Sequence, residues 1–203
     1  MKDKIKSLLD DTAARLSVGD MDSALRLSAE ALATADAVLK SSASEQGASY
    51  ALSAADEDVV DLLVASDTHV RCLLMAQAPV QALSCALLSL CTVDICGIVN
   101  RDGCRDAFAA LLQTTIITEM SAIDTLPLND ETHDSGTALL SLTAFLLNSY
   151  GDAADPLLAQ LGQICDLTTE PIIDGISTPA SDLKRILAEI LGIASALGIL
   201  EFE

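Results

Sequence analysis

The stretch Val18–Lys40, VGDMDSALRLSAEALATADAVLK, decides which kind of fold this chain adopts. Upstream of it, Ile5, Leu8, Leu9, Thr12 and Leu16 recur at the spacing of an amphipathic helix, and Gly19 is placed to end that helix as a C-terminal cap. Downstream, Met21, Leu25, Ser28, Leu32, Ala35 and Leu39 form one stripe along a second helix. So short a gap between two helices predicts an antiparallel hairpin.

The same punctuation recurs. Ser41–Asp56, SSASEQGASYALSAAD, lacks a sustained period and reads as a loop holding at most a short helical turn. Asp56, Glu57 and Asp58 then stand where the positive end of a helix dipole favours anions, and that helix is expected to run to about Gln77. Ala78-Pro79 breaks it and starts another, because proline is tolerated at a first helical position and not inside. The segment CTVDICGIVNRDGC reads as a helix end and loop, its β-branched runs leaving a strand open. Asp102 caps a helix reaching about Met120, residues 121–134 with Pro127 form a loop, and further helices follow in TALLSLTAFLLNSY and PLLAQLGQICDL. Thr178-Pro179 opens the last one, ASDLKRILAEILGIASALGIL. About eight helices and no secure strand predict an all-α fold, organised as a single domain over residues 1–203 with residues 41–56 and 121–134 as loops or insertions.

Composition agrees. Aromatic residues make up only 2% of the chain against 51% hydrophobic, so its core must be built from Ala, Leu, Ile and Val, which suits closely approaching helices. The formal charge of −19 is uneven: residues 41–183 hold twenty acidic and three basic side chains. Such a surface repels phosphate backbones and anionic lipid, which disfavours nucleic acid and membrane, and it attracts a basic partner. The lysine-bearing N-terminus lacks the apolar run of a secretory signal, so the expected location is cytoplasmic. The cysteines Cys72, Cys85, Cys91, Cys96, Cys104 and Cys165 mostly sit in apolar helical patterns and are expected as reduced, buried thiols.

In Gly19-Asp20-Met21-Asp22-Ser23-Ala24, continuing through Ala31 and Leu32, the chain resembles the second half of a tetratricopeptide repeat. That family places a Gly-Asp-like turn between its helices and small residues where Ala24 and Ala31 stand, so that the helices approach closely. Ser28 replaces the family's aromatic, Asp11, Thr12 and Arg15 replace apolar residues of its first helix, and no proline follows. Weaker echoes at Gln77-Ala78-Pro79 through Ala82 and at Gly151-Asp152 put successive turns 58 and 74 residues apart, not the period of about 34 of a regular array. The resemblance implies a tetratricopeptide-like right-handed array of hairpins with irregular insertions, acting as a non-enzymatic scaffold for a protein or peptide. The lysine and asparagine clamp by which such proteins hold a C-terminal carboxylate has no counterpart, since Arg71, Arg101 and Arg105 are the only basic residues between 41 and 183.

The catalytic, cofactor and metal sets are expected to be empty. His69, near Asp67 and Arg71, has no identifiable nucleophile partner, and Asp67 and Arg71 read as a surface ion pair. Asp130, Glu131, His133 and Asp134 could ligate a divalent cation, yet the glycine and final acid of a calcium loop are out of place. Cys91, Cys96 and Cys104 lack the close spacing that clamps zinc, and Ser181-Asp182-Leu183-Lys184 has the spacing of a serine-lysine acyltransferase motif without its companions. Two alternatives stand beside the scaffold. One is a small metal-dependent or hydrolytic enzyme using the acidic His133 loop. The other is a self-associating protein: from Ile186 to Leu200 only Glu189 and Ser195 are polar, and Ala188, Gly192 and Ala196 form a small-residue ridge, so this helix is expected to need cover on all sides, from its own fold or across a homodimer seam.

Overall fold

The computed structural model describes residues 2–44, 54–94, 102–125, 163 and 180–196. Among these the chain is helical throughout apart from short connections and contains no strand: α1 (Lys2–Ser17), α2 (Met21–Ser44), α3 (Asp56–Met75), α4 (Pro79–Asp94), α5 (Asp102–Thr125) and α6 (Ala180–Ala196). The fold is all-α. No described helix is long and apolar enough to cross a membrane. Two compact units divide at Thr114, so that α5 passes from one to the other.

The turn at Gly19 follows from the backbone groups left over at a helix end. The Gly19 N–H donates to the Leu16 carbonyl (3.1 Å) and the Asp20 N–H to the Arg15 carbonyl (3.0 Å), the paired bonds of a Schellman cap, with Gly19 at a φ of 76°. Asp20 then starts α2: its carboxylate accepts from the Ser23 N–H at 3.2 Å and its carbonyl from the Ala24 N–H at 3.1 Å. Hydrogen bonding from Ser23, its hydroxyl first and then its N–H, is the main reason the Asp20 carboxyl lies below its ordinary range. One residue thus closes one helix and opens the next.

The α3–α4 turn has the same wiring. The Gln77 N–H donates to Leu74 at 3.0 Å and the Ala78 N–H to Leu73 at 2.9 Å, with Gln77 at a φ of 59°. Gln77 lies 58 residues after Gly19, and the burial pattern repeats with the same step. Ile5 and Leu63, Leu8 and Ser66, Thr12 and Val70, Ala24 and Ala82, Ala31 and Ser89, and Ala35 and Val93 are all buried. The second turn uses poorer residues, since Gln77 holds a left-handed conformation that favours glycine, and Ala78 has no side chain to cap α4.

The buried line on α2 shares Ser28, Ala35 and Leu39 with the expected stripe and departs from it at the other three positions. Ala24, Ser28, Ala31 and Ala35 are wholly inaccessible, whereas Met21, Leu25 and Leu32 are only half-buried. α2 packs against both α1 and α3, and small residues on the line between them let both neighbours approach. The first unit's largest fully buried side chains include Ile5, Leu39, Leu63, Leu83, Phe108 and Leu112.

Contacts between helices not adjacent in sequence fix the register. Lys2 meets Glu57 at 2.7 Å and Asp58 at 3.2 Å, joining the start of α1 to that of α3. Gly103 lets α5 approach the first turn of α3: a Cβ there would lie 2.9 Å from Asp56 Oδ2. Cys104 Sγ donates to the Asp56 carbonyl at 3.7 Å. Asp67 and Arg71 do pair, at 2.8 Å, but Asp67 is only 18% exposed and its other oxygen accepts from Thr114 Oγ1, which in turn accepts from Arg71 Nη2 at 3.0 Å. What reads as a surface pair is a three-residue tie from α3 to α5.

Several boundaries differ from expectation. α2 continues through Ser41–Ser44, where the Ser41 hydroxyl donates to the Val38 carbonyl at 2.8 Å, and α5 continues past Met120 with Ala122 still buried. α6 is one-sided rather than apolar all round. Ile186, Leu187, Ile190, Ile193 and Ala194 are buried, while the Ala188, Gly192 and Ala196 ridge is exposed beside an Arg185–Glu189 ion pair. The proposed helices after residue 135, the strand alternative beyond Asp94 and the Thr178-Pro179 start lie outside the described residues.

The difference between the two turns is measurable. Gln77→Gly is expected to stabilise the protein by about 0.5–1 kcal/mol, the left-handed penalty less the added chain entropy of glycine. Gly19→Ala is expected to destabilise it by about 1 kcal/mol. Urea-unfolding midpoints of the two variants against the parent chain check both signs.

Candidate functional site

α2 and α4 both pack on α3, and a cleft of about 580 Å³ lies between them with α3 as its floor. Its volume falls in the range of ligand pockets, roughly 300–1,000 Å³. Ala29, Leu32 and Ala33 of α2, Leu62 of α3 and Leu88 of α4 supply an apolar lining. The polar groups are Asp36 and Lys40, which pair with each other on α2, and His69, Cys85, Ser89 and Thr92.

Each polar group has a local reason for its position. Thr92 turns its hydroxyl back to the Leu88 carbonyl at 2.8 Å, a common habit of Thr inside a helix. The Ser66 hydroxyl donates to Ser89 at 2.8 Å, which pairs two hydroxyls buried between α3 and α4. Their counterparts 58 residues earlier are Leu8 and Ala31, where no such bond is needed. His69 Nδ1 meets Ser28 Oγ at 2.9 Å across the α2–α3 contact.

The pair of Ser28 and His69 has the composition of a nucleophile and its base, but not the geometry. Ser28 is wholly inaccessible, and its single proton goes to the Leu25 carbonyl at 3.0 Å. The hydroxyl also shares a hydrogen bond with His69 Nδ1, whose direction follows the imidazole tautomer. No substrate reaches Ser28 through the cleft. Burial also holds the His69 imidazole below its ordinary range and therefore neutral at pH 7. Burial pushes the thiols of Cys72 and Cys85 up, partly opposed by hydrogen bonds with Ser28 and Ser66 respectively, so that neither is a ready thiolate nucleophile.

A second hollow, about 330 Å³, opens at the head of α3 between Asp56, Glu57, Val60, Asp61 and Gly103. Burial raises the Asp61 carboxyl, with Lys2 opposing. Among the described residues no group of three His, Cys, Asp or Glu side chains is placed to hold a metal ion. The acidic set around His133, and the side chains of Cys91, Cys96, Cys165 and the Ser181–Lys184 pair, lie outside the described residues. Cys72, Cys85 and Cys104 are thiols rather than halves of a disulfide.

Sequence reasoning singled out His69 without its partner. Ser28 stands in the sequence only as a member of the α2 stripe and a departure from an expected aromatic, and its distance of 41 residues from His69 gives no local signal. Cleft residues such as Leu88 carry no motif at all. No family model, no curated protein and no solved structure matches the chain, so the site is read from its geometry.

The His69 environment sets a pH dependence. The folded state holds this imidazole below the unfolded value of about 6.5, so the unfolded chain takes up its proton first as pH falls. Stability is therefore expected to be constant with respect to His69 above that value and to decline below it. Urea midpoints measured from pH 7.5 to pH 5 in the parent chain and in His69→Phe should diverge in that sense, the variant lacking this part of the slope.

Proposed function

We propose that this chain is a non-enzymatic helical scaffold of tetratricopeptide-like architecture, and that it binds a protein or peptide at the cleft bounded by α2, α3 and α4. The array reading is supported by register. The starts of α1 and α3 meet at Lys2 and Glu57, and the starts of α3 and α5 meet at Asp56 and Cys104. In contrast, Lys4 near the start of α1 pairs with Glu30 beyond the first turns of α2, and Ser66 of α3 pairs with Ser89 late in α4. These contacts suit hairpins whose first helices run side by side and whose second helices return against them.

One observation carries the binding reading. At equivalent positions of the two hairpins, 58 residues apart, the outward stripe of α2 is Asp22, Arg26 and Glu30, whereas that of α4 is Val80, Ser84 and Leu88. Val80 is 43% and Leu88 72% exposed, and no charged residue occurs from Pro79 to Val93. A solvated face in one copy has become an uncharged face in the other, and Leu88 borders the cleft. Exposed apolar surface of this kind marks interaction sites. The charge of −19 adds long-range attraction for a partner with basic residues flanking its apolar anchor.

The test compares the parent chain with Leu88→Glu in cross-linked affinity purification from the native host. A partner held by the parent is expected to be recovered at least tenfold less by the variant, the loss typical of a central contact. Equal recovery would move the interface away from the cleft, and the absence of any cross-linked partner would remove the scaffold reading.

A further inference from the structure

We draw no further inference here: the strongest candidate, the apolar cleft between α2, α3 and α4 lined by Leu32, Leu62, His69 and Leu88, belongs to the site already described, and nothing in the structure shows what covers it.

Discussion

The first unit depends on how closely α2 can be approached from two sides. A chain with so few aromatic side chains cannot fill wide gaps between helices, and dispersion contact is lost quickly when surfaces stand even a fraction of an ångström apart. Ala24, Ser28, Ala31 and Ala35 form the narrow edge on which α1 and α3 close. A larger residue on that line would hold neighbouring axes nearer the usual 8–10 Å and push the remaining small side chains out of contact. The same constraint explains Gly103, where the approaching surface is the carboxylate of Asp56.

Close approach leaves little room for polar atoms, so those on the inside are matched in pairs. Ser28 with His69 and Ser66 with Ser89 each span two helices, and Asp67, Arg71 and Thr114 close a third connection. Each is directional where the surrounding Ala and Leu contacts are not. They fix which helix faces meet, a task that a uniformly aliphatic core performs poorly. Two of these residues, His69 and Ser89, also border the cleft.

Local signals in the sequence were read well where the physics is local. Gly19 as a cap, the acidic first turn at Asp56 and proline opening α4 each depend on a few consecutive residues, and each stands where it was expected. The α2 stripe departs from expectation at Met21, Leu25 and Leu32 because hydrophobicity weighs leucine above alanine, whereas a helix wedged between two neighbours buries its small residues at 24 and 31 deepest. In α6 the same weighting concealed that Ala188, Gly192 and Ala196 face outward. The cleft was not legible because it is bounded by residues far apart in sequence, and an exposed leucine such as Leu88 looks like any helical leucine until its neighbours are known. The 58-residue step is visible in the sequence as a spacing, and the structure adds that burial recurs at positions that far apart.

The turn at Gln77 has a bearing on the cleft beyond its local strain. α4 carries the exposed leucine and forms one wall, yet it hangs from the turn that lacks both the glycine and the capping carboxylate of its counterpart. Regions held by fewer favourable terms open at lower free energy than the core they adjoin. The less favourable of the two described turns is thus the one from which this wall of the cleft hangs, while its floor, α3, packs against a helix on either side.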